Sequence, residues 1–345
     1  LIPTGVATGV GSLPGLDFMP AAEMVLSELP DFPHVPELPA RGPWFDMVGR
    51  GCAVLLDLPV AHAAGRWSFA RGGRGIGTDL RKARSGLRDD SEQFADLVNQ
   101  RQVLGAHDGE ESLVAVKMQF CGPITLAASV ELPNGQPALS DARARADIAA
   151  SFAEGIRQHV LEIAGWFPEG LPLVVQIDEP AVAAALQGDV PTVSGIGNHA
   201  PVASDEVEAQ LAHVVRSVAG PAREVVVHCC AQDPPVRILG AAGAQALSVD
   251  LTMLDVTSRS ADHLSEWLQE GNKLLAGVSV SDSIASVAAM MGEDWLMTHG
   301  SKQLTLTPPC GLADTAFDNA ALDKAASQYR RLRTMQRDFV AGILP

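Results

Sequence analysis

With 345 residues, 47% of them hydrophobic, the chain can build one large α/β domain or two small ones. Its 25 Lys and Arg against 41 Asp and Glu give a formal net charge of −16, which points away from nucleic acid and anionic membranes as general partners. No window approaches 18 uninterrupted apolar residues, and the opening LIPTGVATGVGSLPG has neither the basic nor the apolar region of a secretory leader. Five cysteines, two of them adjacent at Cys229 and Cys230, suit free thiols in a reducing cytoplasm better than a disulfide framework.

In chain order, GVGS (9–12) reads as the end of a first β-run. The segment PDFPHVPELPARGP (30–43) is too rich in proline for either regular state and is expected as an extended loop. AVLLD (53–57) reads as the second strand, with Cys52 packed in the same run. An inserted loop and helical segment is expected over about 60–110. Within it, Arg66, Arg71, Arg74, Arg81, Lys82, Arg84 and Arg88 gather seven of the 25 basic residues. They are either solvated charge on a surface loop or a strip that attracts an anionic ligand. Trp67 either anchors this loop or offers a flat face to a ring.

Further β-runs follow at VAVKMQ (114–119), LVVQID (173–178), VVVHCC (225–230), ALSVD (246–250), LLAGVSVS (274–281) and QLTLT (303–307). Helical patterns lie between them. One opens at Ser140-Asp141 and runs to about Ala164, with Ile148, Phe152, Ile156, Val160 and Ile163 on one stripe. A second opens at Ser204-Asp205, with Val207, Leu211, Val214, Val215 and Val218 apolar. A short one runs from Asp262 to near Gly271, and a long one from Asp314 or Asp318 through about Phe339. Eight β-runs with interleaved helices predict a single (β/α)8 TIM barrel, one catalytic domain over 1–345, with an insertion between the second and third strands.

In a parallel barrel the strand ends converge on one face, where the chemistry takes place. Four candidate ligands fall at such ends: His228 and Cys230, Asp250, and Cys310. Two thiolates, an imidazole and a carboxylate make a soft set that suits Zn2+. Residues two apart share a strand face, so His228 and Cys230 point together while Cys229 points to the helical layer. Cys121 reads as packing. Asp178 is read from the strand alone as an end residue serving a βα loop, and Ser12 as a turn residue. No phosphate-binding glycine loop of the G-x-x-x-x-G-K-S/T kind is present.

The motifs GVGSLPG (9–15), DMVGR (46–50), VKMQFCGPIT (116–125), QIDEPA (176–181), HCC (228–230), SVD (248–250) and PPCG (308–311) together resemble the cobalamin-independent methionine synthases, specifically their C-terminal, zinc-bearing barrel. The resemblance implies an S-methyltransferase that methylates the thiol of homocysteine to give methionine. It implies zinc on His228, Cys230, Asp250 and Cys310, with Asp250 where the family usually has Glu. It implies that Ser12 and the backbone near Val10 hold the amino-acid carboxylate and that Asp178 pairs with the ammonium. Glu37 is the candidate for an acid the family carries before DMV. Ser129 stands where the family has a folate-stacking Trp. Asp282 aligns near the family's proton-donating His and is the candidate partner for the leaving group. The implied donor is methyltetrahydrofolate or a methyl-corrinoid, either free methylcobalamin or a corrinoid protein. Two other readings stand beside this one: methylation of a different thiol on the same fold, and a non-catalytic zinc-binding barrel.

Overall fold

A parallel sheet organises the chain, and a computed structural model describes it over residues 2–70, 77–108, 113–220, 223–279, 285–313 and 319–341. The first part holds α1 (Phe18–Glu28), α2 (Met47–Val54), the strands β1 (Val60–Ala63) and β2 (Arg66–Phe69), and α3 (Thr78–Asp108). Strands β1 and β2 pair only with each other, as an antiparallel hairpin. The alternating part follows. It comprises β3 (Val116–Cys121), α4 (Pro123–Ser129), α5 (Ala142–Ala164), β4 (Leu173–Asp178), α6 (Val182–Gln187), α7 (Ser204–Val218) and β5 (Arg223–Cys229). It continues with α8 (Val236–Ala241), β6 (Ala246–Asp250), α9 (Arg259–Gln269), β7 (Lys273–Gly277), α10 (Ala285–Met291), α11 (Glu293–Gln303), β8 (Leu304–Thr307) and α12 (Asn319–Val340).

Strands β3 to β8 form one six-stranded parallel sheet in chain order, as the βα alternation requires. Its two edges are met by the start of the chain. Ala7 bridges Leu306 on β8, His34 bridges Lys117 on β3, and Ser12 bridges Glu37. Backbone bonds repeat the pattern: Thr8 N–H donates to the Leu306 carbonyl at 2.9 Å, Glu37 N–H to Gly11 at 3.1 Å, and Val35 N–H to Lys117 at 2.9 Å.

Helix ends match their caps. Asp141 accepts from Ala144 N–H at 2.9 Å to start α5, and the predicted apolar stripe is buried. Helix α7 buries all five predicted residues. Ser258 caps α9 and accepts from Ala261 N–H, so this helix starts ahead of Asp262.

Three expectations are corrected. AVLLD is not a strand: Asp46 accepts from Gly49 N–H at 2.7 Å and caps α2, which runs through Val54 and carries Cys52. The proline-rich segment takes the place beside β3 instead. Its prolines hold the backbone extended, and the bonds fall on residues that have an N–H, Val35 and Glu37. The basic stretch is no loop at 81–88, because these residues lie on α3.

The sheet's two faces differ. Ile2, Phe32, Ala115, Val174, Val226, Ala246 and Leu275 form a small apolar cluster of their own, apart from the main core between sheet and helices. Two residues further along the same faces come Lys117, Gln176, His228 and Ser248, and then Asp178 and Asp250. The inner face therefore runs from an apolar floor to a polar, acidic rim at the strands' C-terminal ends. Among the described residues, no helix is long and apolar enough to cross a membrane.

Candidate metal and substrate site

Register places the rim. Asp178 on β4 pairs with His228 on β5, which pairs with Ser248 on β6, and Asp250 pairs with Gly277 on β7. Cys230 follows β5 directly, and Cys310 lies three residues beyond β8. The Cys310 and Cys230 sulfurs stand 3.8 Å apart. His228 hydrogen-bonds Cys310 as well, and its Nδ1 lies 2.9 Å from Ser248 Oγ. Hydrogen bonds from Cys230 and then His228 hold the Cys310 thiol down at about 4, while Cys310 and burial push Cys230 far up. Cys229 points the other way, fully buried in the main core, and burial pushes its thiol up to about 12.

Two sulfurs each about 2.3 Å from one tetrahedral ion stand roughly 3.8 Å apart, as these do. An imidazole with one nitrogen fixed by a hydroxyl is how a ligating histidine is usually oriented. Asp250 is engaged elsewhere: its Oδ1 accepts from Thr252 N–H at 2.9 Å and Thr252 Oγ1 at 2.6 Å. Among the described residues no three or more His, Cys, Asp or Glu side chains are grouped closely enough to hold a metal ion. The spacing of the two sulfurs is that of two ligands on one ion, and Asp250 has one oxygen committed to its own turn.

Ser12 reaches the same rim from the other end of the chain. Its carbonyl accepts from Leu312 N–H at 2.7 Å, and a Cβ on Gly311 would lie 1.9 Å from its Oγ, so any larger residue there would turn the Ser12 hydroxyl away. Beside it, Lys117 Nζ donates to the Val10 carbonyl and to Gln176 Oε1, both at 2.8 Å. Gln176 Nε2 donates to Val10 at 3.0 Å and to Asp178 Oδ1 at 2.7 Å. Burial pulls Lys117 down to about 7, with Asp178 and Glu37 opposing. Burial also raises Asp178, against His228, Lys117 and the Gln176 bond.

Glu37 is buried at the same level. Burial pushes it up to about 7, the Arg50 charge opposes this, and the Asp178 charge adds to it. Arg50 Nε donates to Glu37 at 3.2 Å, and Arg41 clasps Asp90 with bonds of 2.7 and 2.8 Å. Glu179, next to Asp178, faces away from the rim residues. It accepts from Ile124 N–H at 3.0 Å, Thr125 N–H at 2.8 Å and Thr125 Oγ1 at 2.7 Å, at the start of α4. A Cβ on Gly122 would come within 2.3 Å of that carboxylate.

The structure thus brings Val10, Ser12, Glu37, Asp178, His228, Cys230, Asp250 and Cys310 to one end of the sheet. Asp282 lies outside the described residues, as do Arg71 and Arg74. Lys117, Gln176, Arg50, Ser248 and Glu179 escaped sequence reasoning. The available signal was a lone polar residue inside an apolar β-run, as in VAVKMQ and LVVQID. Trp67 is buried, donates to the Pro43 carbonyl at 3.0 Å and offers no face to a ligand. The basic residues of α3 fasten it to the body. Lys82 sits 3.4 Å over the Trp44 ring, Arg84 donates to the Ala53 carbonyl at 2.9 Å, and Arg88 pairs with Glu162.

A curled α/β sheet whose C-terminal edge gathers thiols, an imidazole and acids defines an enzyme-type fold and rim. The family model "Cobalamin-independent synthase, Catalytic domain" matches residues 83–327. The chain belongs to this cobalamin-independent methionine synthase-like family, a family of methyltransferases. Among solved structures it is similar to a B12-independent methionine synthase from Shewanella sp. W3-18-1 in complex with selenomethionine. That match has a TM-score of 0.58 and 13% identity and covers 98% of each chain, so it speaks for the fold. A GH18 chitinase from Pseudoalteromonas aurantia (12% identity, covering 94% of this chain and 99% of that one) has a TM-score of 0.39. An oxaloacetate acetylhydrolase in complex with oxalate (12% identity, 99% and 84% covered) reaches 0.37. Neither bears on the argument. No curated protein sequence matches.

Proposed function

We propose that the chain is a zinc-dependent methyltransferase that transfers a methyl group to the thiol of homocysteine, forming methionine. We read its eight extended positions as a closed (β/α)8 barrel, a single catalytic domain over 1–345 with the hairpin and α3 as its insertion. The observation that carries the reading is the Cys230–Cys310 pair, 3.8 Å apart with His228 against it, on the rim that also holds Ser12 and Asp178.

His228, Cys230 and Cys310 would hold the zinc, with Asp250 as the fourth and most easily released ligand. Bound there, the metal supplies a thiol acidified enough to react as thiolate at neutral pH. Asp178 pairs with the substrate ammonium and Ser12 with its carboxylate, which directs the sulfur toward the cysteines. The substrate S–H proton leaves to water, a sulfur–carbon bond forms, and the methyl–donor bond breaks with its electron pair on the donor. Asp282 is the candidate for meeting charge on that leaving group.

For the donor, two residues matter. Ser129 Oγ is occupied by the Thr125 carbonyl at 2.7 Å, and Trp67 is buried, so neither position stacks a pterin. The same burial keeps Trp67 from a corrin ring, so the donor is read as either methyltetrahydrofolate or a methyl-corrinoid. Purified protein with zinc and homocysteine should make methionine, detected by mass, from a methylfolate, methylcobalamin or a methyl-corrinoid protein, and the fastest of these identifies the donor. Methylation of some other thiol, with homocysteine inert under every donor, would sink the proposal.

A further inference from the structure

We infer that Lys117 and Gln176 are positioning residues that make the site select for the α-ammonium of its substrate. The inference rests on the homocysteine reading and deepens it. Lys117 is fully buried, and its Nζ reaches two acceptors, the Val10 carbonyl and Gln176 Oε1. An ammonium group only donates, so the oxygen of the Gln176 amide must face it. The amide nitrogen then faces Val10 and Asp178 Oδ1, both acceptors, which is the arrangement observed. The three neighbours fix one orientation of the amide.

Two consequences follow. The Val10 carbonyl has two lone pairs, and Lys117 and Gln176 take both, so it cannot accept the substrate's ammonium. The expectation that Val10 meets the substrate is thereby narrowed to its neighbours' N–H groups. The Asp178 carboxylate, in contrast, is anchored through one oxygen, Oδ1, which accepts from Gln176 Nε2. Asp178 is thus held at a set angle, with its second oxygen left for a cation. Without Lys117 the buried amide oxygen loses the donor that holds it, so the Gln176 side chain is no longer fixed in place and the carboxylate it anchors is released from its set angle.

The test compares homocysteine with 4-mercaptobutyrate, which lacks only the ammonium, by titration calorimetry on zinc-supplemented protein. Wild type should prefer homocysteine by about tenfold or more, the strength of a charged hydrogen bond. Lys117→Met should abolish that preference while leaving 4-mercaptobutyrate affinity unchanged. Lys117→Gln, which keeps a donor toward Val10, should retain part of it. Equal weakening of both ligands, or an undiminished preference, overturns the inference and leaves the homocysteine reading standing. Wild type that binds neither ligand, or both alike, overturns the reading itself. A measurement on wild type needs no variant to fold: the Gln176 side-chain amide resonance should shift with homocysteine and not with 4-mercaptobutyrate. Absence of that shift overturns the inference.

Discussion

Cys229 and Cys230 are neighbours with opposite fates, because a strand turns successive side chains to opposite faces. Cys229 is sealed in the outer core, where burial raises its thiol, whereas Cys230 lies at the rim with its sulfur 3.8 Å from that of Cys310. Cys230→Ser and Cys310→Ser should each lose bound zinc, read by metal analysis after dialysis. Cys229→Ala should keep one equivalent at a stability cost on the order of 1 kcal/mol. Zinc lost from Cys229→Ala with the other two unaffected would reverse the assignment. Period-two alternation made this pair legible in the sequence. Lys117 and Arg50 were not legible, because a single cation in an apolar run normally marks an exposed edge. Both are buried only because distant segments supply their acceptors: Val10 and Gln176 for Lys117, Glu37 for Arg50.

Single elements were read well where one local signal decided them, and poorly where two competed. The caps of α5 and α7's buried stripe follow from a few consecutive residues. At 30–57 apolar AVLLD outweighed proline-rich PHVPE as a strand, since the rule against proline in sheets counts N–H groups and ignores which ones are used. Here Val35 and Glu37 carry the bonds, and the prolines fall between them. Helix α4 depends on a residue outside it. Glu179 receives the Ile124 and Thr125 N–H groups, while its own N–H donates to the His228 carbonyl at 2.8 Å. Glu179→Ala should leave these donors unpaired beside a cavity and cost on the order of 3 kcal/mol, measured as a lower urea midpoint. Unchanged stability would mean that the carboxylate does not hold α4 to β4.

At the scale of the molecule, the terminal helix is tied to the start of the chain through a buried pair, His34 and Tyr329, with Nε2 and Oη 2.8 Å apart. Burial pulls His34 down to about 3, the Lys117 charge acts the same way, and a bond to Val35 opposes them. The folded chain therefore keeps His34 neutral while the unfolded chain protonates it below about 6.5. This contribution is fully present above pH 6.5 and is lost as pH falls toward 3, at about 1.4 kcal/mol per unit. Glu37 and Glu179, both raised to about 7, act in the opposite sense, so the difference between wild type and His34→Gln isolates the histidine. Denaturation at pH 7, 6 and 5 should show wild type's advantage over the variant shrinking by roughly half that increment from pH 7 to 6 and by nearly all of it from pH 6 to 5. A constant difference would place the proton elsewhere.

Ser12 and Gly311 touch although about 300 residues separate them in sequence. During synthesis the seam between these two residues therefore cannot close until the chain has emerged past Gly311. Competence for the reaction would appear late and all at once, and a nascent chain stalled before Cys310 would carry a recognition surface with half its sulfur missing.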